Sequence, residues 1–161
     1  MLDVTLIGAA LLLSLVGIFV FIFHLVTDPL TDVHAYYEAG QRLNAGLPLY
    51  AGQTGADSAD FYRYPPLLAI VFRPLALLPF KAAALIWEAG IVVALGLTVR
   101  RLGLRKRSTW LALGALAGPI AWAVTIGQAQ VWVTLFLTWG NPASVALAGQ
   151  LKLFPALIGL Y

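Results

Sequence analysis

The sequence predicts an all-α fold, a multi-pass transmembrane helix bundle, and three observations carry that prediction. Of the 161 residues 61% are hydrophobic and 11% charged, with a mean hydropathy of +0.88, whereas a soluble domain carries about 25% charged residues. The apolar residues also come in runs of crossing length, about 20 residues for ~30 Å of hydrocarbon. Third, half of the ten basic residues crowd into one stretch, Arg100, Arg101, Arg105, Lys106 and Arg107, and such stretches mark the cytoplasmic ends of membrane helices. That topology signal accounts for the net charge of +3 better than a nucleic-acid patch does, so no nucleic-acid partner is expected. Cysteine is absent, which excludes a disulfide framework, a thiolate metal site and a cysteine nucleophile.

Residues 4–26 contain no Asp, Glu, Lys or Arg and are long enough for a first crossing. A cleaved signal peptide is disfavoured: no basic region precedes the run, the run is too long, and no small-x-small pattern follows before Asp28. Residues 27–64 read as a polar outer loop, with Asp28, Asp32, Glu38, Asp57 and Asp60 against Arg42 and Arg63. Within it Val33, Tyr36, Tyr37, Gly40 and Leu43 recur at helical spacing. Thr31 is the expected N-cap and Gly46 the expected C′ residue. These features predict a short amphipathic helix on the outer membrane surface, with Glu38 and Arg42 as an i,i+4 pair.

Residues 65–80 are apolar but split by Arg73, Pro74 and Pro79, and read as an interfacial or re-entrant half-helix opened by proline. Residues 82–99, whose only charge is Glu88, are the second crossing, and the basic loop 100–107 follows. Residues 109–126 are expected to cross back and end at Gly127, Gln128, Ala129 and Gln130. Residues 131–139 make about 14 Å of helix, too short to span. Residues 143–161, with Lys152 inside, read as the last crossing. The expected result is one membrane domain in the cell membrane, its N-terminus cytoplasmic and loop 27–64 outside.

Asp32 falls in the first turn of the loop helix, where the helix dipole favours its carboxylate. Two readings stay open: a general base toward an acceptor hydroxyl, or simple support of the helix start. An intramembrane lysine is costly and marks a functional position. Lys152 is therefore either a site residue facing Glu88 or a lipid phosphate, or a side chain snorkelling from a helix end. Arg73 and Lys81 read as snorkelling residues. His34 either joins Asp32 or stands as an exposed loop histidine, and His24 ends the first crossing. Two isolated histidines make no zinc site, no phosphate-binding glycine loop occurs, and no serine has the partners of a nucleophile. Trp87, Trp110, Trp122, Trp132 and Trp139 read as interface anchors and packing residues.

An ordered set remains: Asp32, Tyr36, Ala39, Gly46 and Tyr50; Tyr64-Pro65-Pro66, Pro74, Pro79 and Trp87; Gly127-Gln128; and Lys152 with Pro155. In order and spacing it resembles glycosyltransferase family 87, membrane enzymes of the GT-C fold that include polyprenyl-phosphate-mannose-dependent α-mannosyltransferases. The resemblance covers nearly the whole chain and only the N-terminal part of such an enzyme. The chain departs from the pattern at Gln130, where the family commonly has Asn, and by a short segment from Val131 to Lys152. The absent C-terminal helices leave donor binding and independent activity open.

The resemblance implies that Asp32 is the catalytic base, deprotonating an acceptor hydroxyl as it attacks the sugar anomeric carbon with inversion. It also implies that cations near the outer interface stabilise the departing lipid phosphate. Arg63, Arg73, Lys81 and Lys152 are the candidates. Tyr36, Arg63, Tyr64, Gln128 and Lys152 are accordingly the expected substrate-binding residues. No cofactor is implied beyond the lipid-linked sugar donor as substrate, and metal dependence stays open. The implied partners are a polyprenyl-phosphate sugar donor, a glycan or glycolipid acceptor and the lipid bilayer. The rival reading is a non-catalytic truncated membrane protein or scaffold subunit. A transporter fits less well, because the polar residues gather at one face instead of lining a midplane path.

Overall fold

The computed structural model describes residues 2–27, 29–50, 62–103 and 107–152. Asp28, Asp57, Asp60, Arg105, Lys106, Pro155 and the 153–161 part of the expected last crossing lie outside the described residues. Among the described residues every regular element is a helix: α1 (Leu2–Thr27), α2 (Thr31–Asn44), α3 (Pro66–Leu75), α4 (Phe80–Leu102), α5 (Arg107–Ala115), α6 (Ala117–Thr125), α7 (Gln130–Trp139) and α8 (Pro142–Leu151). Val4–Thr27 and Phe80–Leu102 are long and apolar enough to cross a membrane, and α5 with α6 would make a third span if counted as one bent helix.

α1 is apolar on all sides and leaves most of its large side chains uncovered, Leu11, Phe19 and Val26 among them. Such a surface is stable only against lipid. α1 touches the rest of the protein through small residues: Ala10, Ser14 and Gly17 face Gly114 and Ala117. A Cβ at Gly17 would lie 2.6 Å from the Ala117 backbone carbon. Small side chains let helix backbones approach where lipid supplies no hydrophobic drive. The early part of α1 lies beside Arg107 and Trp110, and its end lies beside Trp122, whose ring is 5.9 Å from that of His24. α1 and the α5–α6 pair therefore run in the same direction.

The segment expected to be one crossing, 109–126, is bent by 62° between α5 and α6. The cause is Pro119, which has no N–H for the Ala115 carbonyl and whose ring presses on it. The ladder resumes on either side, with Leu116 N–H donating to Ala112 O at 2.9 Å and Ile120 N–H to Leu116 O at 2.9 Å.

α3 begins on Pro66 at N1, where a missing N–H is harmless. Its buried face, Leu68, Ala69 and Phe72, packs under α2. Phe72 is fully buried, with its ring 4.7 Å from Trp87 and 5.3 Å from Tyr36. This aromatic cluster ties α2, α3 and α4 together, and truncating such a ring to alanine costs about 3–5 kcal/mol.

α7 and α8 are joined at Gly140 and Asn141, where Asn141 Oδ1 caps α8 by accepting from Ser144 N–H at 2.9 Å. Trp139, at the end of α7, lies under the Arg101 guanidinium at 5.5 Å, level with the basic end of α4. α8 then returns to bring Lys152 within 5.7 Å of the Tyr64 ring. The region 131–152 is thus a hairpin of two ten-residue helices, each about 15 Å long.

Candidate functional site

The start of α2 hangs from the end of α6. Leu30 N–H donates to Thr125 O at 3.0 Å and Asp32 N–H to Ile126 O at 3.1 Å. The last carbonyls of one helix and the first N–H groups of another lack partners within their own helices, and here each set satisfies the other. Thr31, expected as the N-cap, is instead the first helical residue, and Leu30 precedes it in left-handed conformation at φ 61° with no side-chain cap. The α6 carbonyls make a capping side chain unnecessary. At the other end Gly46 is the C′ residue as expected: its N–H reaches Leu43 O at 3.2 Å and Leu47 N–H reaches Arg42 O at 2.9 Å, the Schellman pattern.

Asp32 is half-buried at this junction. Its Oδ2 accepts from Tyr64 OH at 2.7 Å and from Tyr36 OH at 3.0 Å. Tyr36 has no exposed surface, and its hydroxyl oxygen also accepts from Ala129 N–H at 3.2 Å. Burial first, and then the neighbouring Tyr64 and Asp32, push the Tyr36 hydroxyl well above the ordinary tyrosine range; burial and then Asp32 do the same for Tyr64. Both hydroxyls therefore stay protonated donors. Tyr64 is itself fixed, because its carbonyl accepts from Tyr50 OH at 2.9 Å. Beside it, Tyr62 OH donates to Pro65 O at 2.7 Å and accepts from Ala69 N–H at 2.9 Å.

Lys152 completes the cluster, over the Tyr64 ring and within Coulombic reach of Asp32. Of its two expected partners, Glu88 is not the one it meets: Glu88 Oε1 is buried behind Gly127 and has no hydrogen-bond partner among the described residues. Asp32 and Tyr36 from α2, Tyr64 and Lys152 are thus brought together from three separate stretches of chain.

The remaining expected residues divide. Arg63 is exposed next to Tyr64, and its charge acts on that hydroxyl. Gln128 lies in the same turn as Ala129, its N–H on Ala123 O at 2.7 Å and its side chain half-buried. Arg73 is engaged elsewhere, with Nε donating to Asn44 Oδ1 at 3.0 Å while Asn44 Nδ2 donates to Arg73 O at 2.9 Å. Lys81 is exposed at the start of α4. The His34 ring stacks on Phe80 at 3.7 Å. Tyr36, expected to bind substrate, is enclosed, and its hydroxyl is committed to Asp32 and Ala129.

Two contacts escaped sequence reasoning. One is that of the Ala129 backbone N–H. The other is made by Trp87, a member of the ordered family set read as an anchor or packing residue, whose Nε1–H donates to Gly127 O at 2.8 Å and holds the turn that carries Ala129. The Gly-Gln pair signalled the turn; no spacing signalled these contacts. Among the described residues no three His, Cys, Asp or Glu side chains come together as metal ligands.

An apolar groove of about 280 Å³ runs between α3, α4, α7 and α8, walled by Leu67, Val71, Trp132, Phe136 and Leu151. Leu151 in its wall is the chain neighbour of Lys152. A larger apolar cavity of about 390 Å³ lies toward the basic end of α4, lined by Leu95, Thr98, Leu102 and Thr109, and has no charged lining.

The model of glycosyltransferase family 87 matches residues 61–161. A polyprenol-phosphate-mannose-dependent alpha-(1-2)-phosphatidylinositol pentamannoside mannosyltransferase of Mycolicibacterium smegmatis is 34% identical over 149 residues, covering 81% of this chain and 36% of that protein. Its namesake from Mycobacterium tuberculosis is 28% identical over 151 residues, covering 81% and 35%. The chain thus spans about a third of the length of the curated relatives it matches. No solved structure matches.

Proposed function

Because this chain belongs to glycosyltransferase family 87, we propose that it carries the acceptor-side part of a membrane enzyme moving mannose from a polyprenyl phosphate to a glycan or glycolipid acceptor. The observation that carries this reading is the proximity of a tyrosine-held carboxylate, Asp32, to Lys152, whose chain neighbour Leu151 lines an apolar groove. Transfer from a lipid phosphate needs a base for the acceptor hydroxyl, a positive charge for the departing phosphate, and apolar surface for the carrier chain.

In the reaction the acceptor O–H gives its proton to Asp32. The acceptor oxygen bonds to the anomeric carbon from the face opposite the phosphate, and the carbon–oxygen bond to phosphate breaks with its electron pair staying on phosphate, so configuration inverts. Lys152 faces the charge that develops on phosphate, and exposed Arg63 adds to it. The isoprenoid chain lies in the groove past Leu151. The topology that goes with this chemistry places the basic end of α4 and α5 in the cytoplasm and the Asp32 cluster on the outer side of the cell membrane, consistent with basic loops facing inward.

The test is transfer of radiolabelled mannose from polyprenyl-phosphate mannose in membranes expressing the chain, alone and with any sequence encoded downstream of Tyr161. Asp32→Asn should insert normally and lose about 10²–10⁴-fold in transfer rate, the range for removal of a general base. Full transfer in that variant would overturn the base assignment. No transfer with or without downstream sequence would favour the scaffold reading.

A further inference from the structure

The geometry points to a division of labour within the Asp32 carboxylate: Tyr36 and Tyr64 both hold Oδ2, so that Oδ1 is the oxygen that receives the acceptor's proton. This rests on the reading of Asp32 as the general base and adds to it two positioning residues and the identity of the reacting atom.

The Ala129 N–H donates to the Tyr36 hydroxyl oxygen, and a tyrosine hydroxyl has one proton to give. With the backbone donor on its acceptor side and the ring held among Tyr64, Phe72 and Trp87, Tyr36 directs that proton to Asp32 Oδ2 at 3.0 Å. Tyr64 reaches the same atom at 2.7 Å. Among the described residues no donor meets Oδ1. Two donors on one oxygen fix the carboxylate plane and concentrate its stabilisation at Oδ2, leaving the other oxygen for the incoming hydroxyl.

Other charged and titratable groups face this point from several directions. Lys152 comes from the end of α8, Arg63 from the segment carrying Tyr64, and Glu88 from α4 behind Gly127. His34, on α2 itself, is stacked on Phe80. Neither tyrosine touches the reacting atoms. Their effect is on where the carboxylate sits and how tightly it holds a proton.

Hydrogen bonds to a carboxylate favour its charged form. Tyr36→Phe and Tyr64→Phe should therefore each move the acid limb of kcat/KM upward by about half to one pH unit, with KM for the lipid donor little changed. A purely structural role would lower kcat at every pH and leave the limb where it was. A second readout needs no turnover: infrared spectra of protein with isotope-labelled aspartate follow the Asp32 carboxyl, assigned as the band lost in Asp32→Asn. Its titration midpoint should rise in both phenylalanine variants. An unmoved midpoint and an unmoved limb in the two variants would overturn the proposal. Full transfer by Asp32→Asn, with the infrared shifts still present, would instead remove the base reading and leave only the tyrosine–carboxylate coupling.

Discussion

Replacing Gly127 by alanine tests whether the α6–α7 turn is the anchor of the site. Gly127 sits at φ +72°, a conformation that costs an L-residue about 1–2 kcal/mol. The new Cβ would overlap Val33 Cγ2 and lie 2.7 Å from Glu88 Oε1. Val33 is fully buried and cannot retreat, and the turn cannot recede, because Gly127 O holds Trp87 and Ile126 O holds the Asp32 N–H. Overpacking of this kind adds about 1–3 kcal/mol, so the variant should lose about 2–5 kcal/mol in all. Gly46→Ala is the matched control: its φ is +69°, but nothing lies within 4 Å of the added Cβ, so only the conformational part, about 1–2 kcal/mol, applies. Unfolding of both variants in mixed micelles, followed by helical circular dichroism, gives the comparison. The excess loss in Gly127→Ala measures the packing against Val33 and Glu88. Equal losses in the two variants would refute the reasoning, since the difference lies only in what surrounds the glycine.

Three further outcomes are expected. Trp87→Phe keeps the ring cluster but leaves Gly127 O without its donor, and should destabilise by about 1–3 kcal/mol; a melting point equal to the parent's would show the turn is held by other contacts. Burial pushes the Tyr36, Tyr62 and Tyr64 hydroxyls above the ordinary range. A raised folded value stabilises fully below the unfolded value of about 10 and is lost as pH rises beyond it. Thermal melts should therefore fall steeply above about pH 10, and less steeply in Tyr62→Phe. Gly17→Val should push α1 off α6, because the added Cβ meets the Ala117 backbone carbon at 2.6 Å. The chain has no cysteine, so disulfide formation by an Ala10→Cys/Gly114→Cys pair reports the neighbouring α1–α5 part of the same seam, and undiminished cross-linking in the valine variant would argue against close packing of α1 on the α5–α6 pair.

The sequence alone determined the membrane character, the helical class and the places where helices start and stop by local chemistry. Uninterrupted apolar runs can only be satisfied in lipid as helices, which is why α1 and α4 were legible to within a few residues. Pro66 at the start of α3 and Gly46 after α2 were legible for the same local reason. The family too was readable, because the order Asp32, Tyr64-Pro65-Pro66, Gly127-Gln128, Lys152 survives without any knowledge of contacts. Only the tertiary structure decided what depends on groups far apart in the chain. That α6 carbonyls, and not Thr31, cap α2 could not be read locally, since the partner lies 94 residues away on the far side of α4. The bend at Pro119 needed the backbone, as a proline near a helix start and one within a span look alike in sequence. The meeting of Lys152 with Tyr64 needed the α7–α8 hairpin, because ten-residue helices specify neither crossing nor returning by length. And the enclosure of Tyr36, with its hydroxyl on Asp32 and Ala129, was set by the rings of Phe72 and Trp87 packed against it, a matter of packing that no spacing of residues encodes.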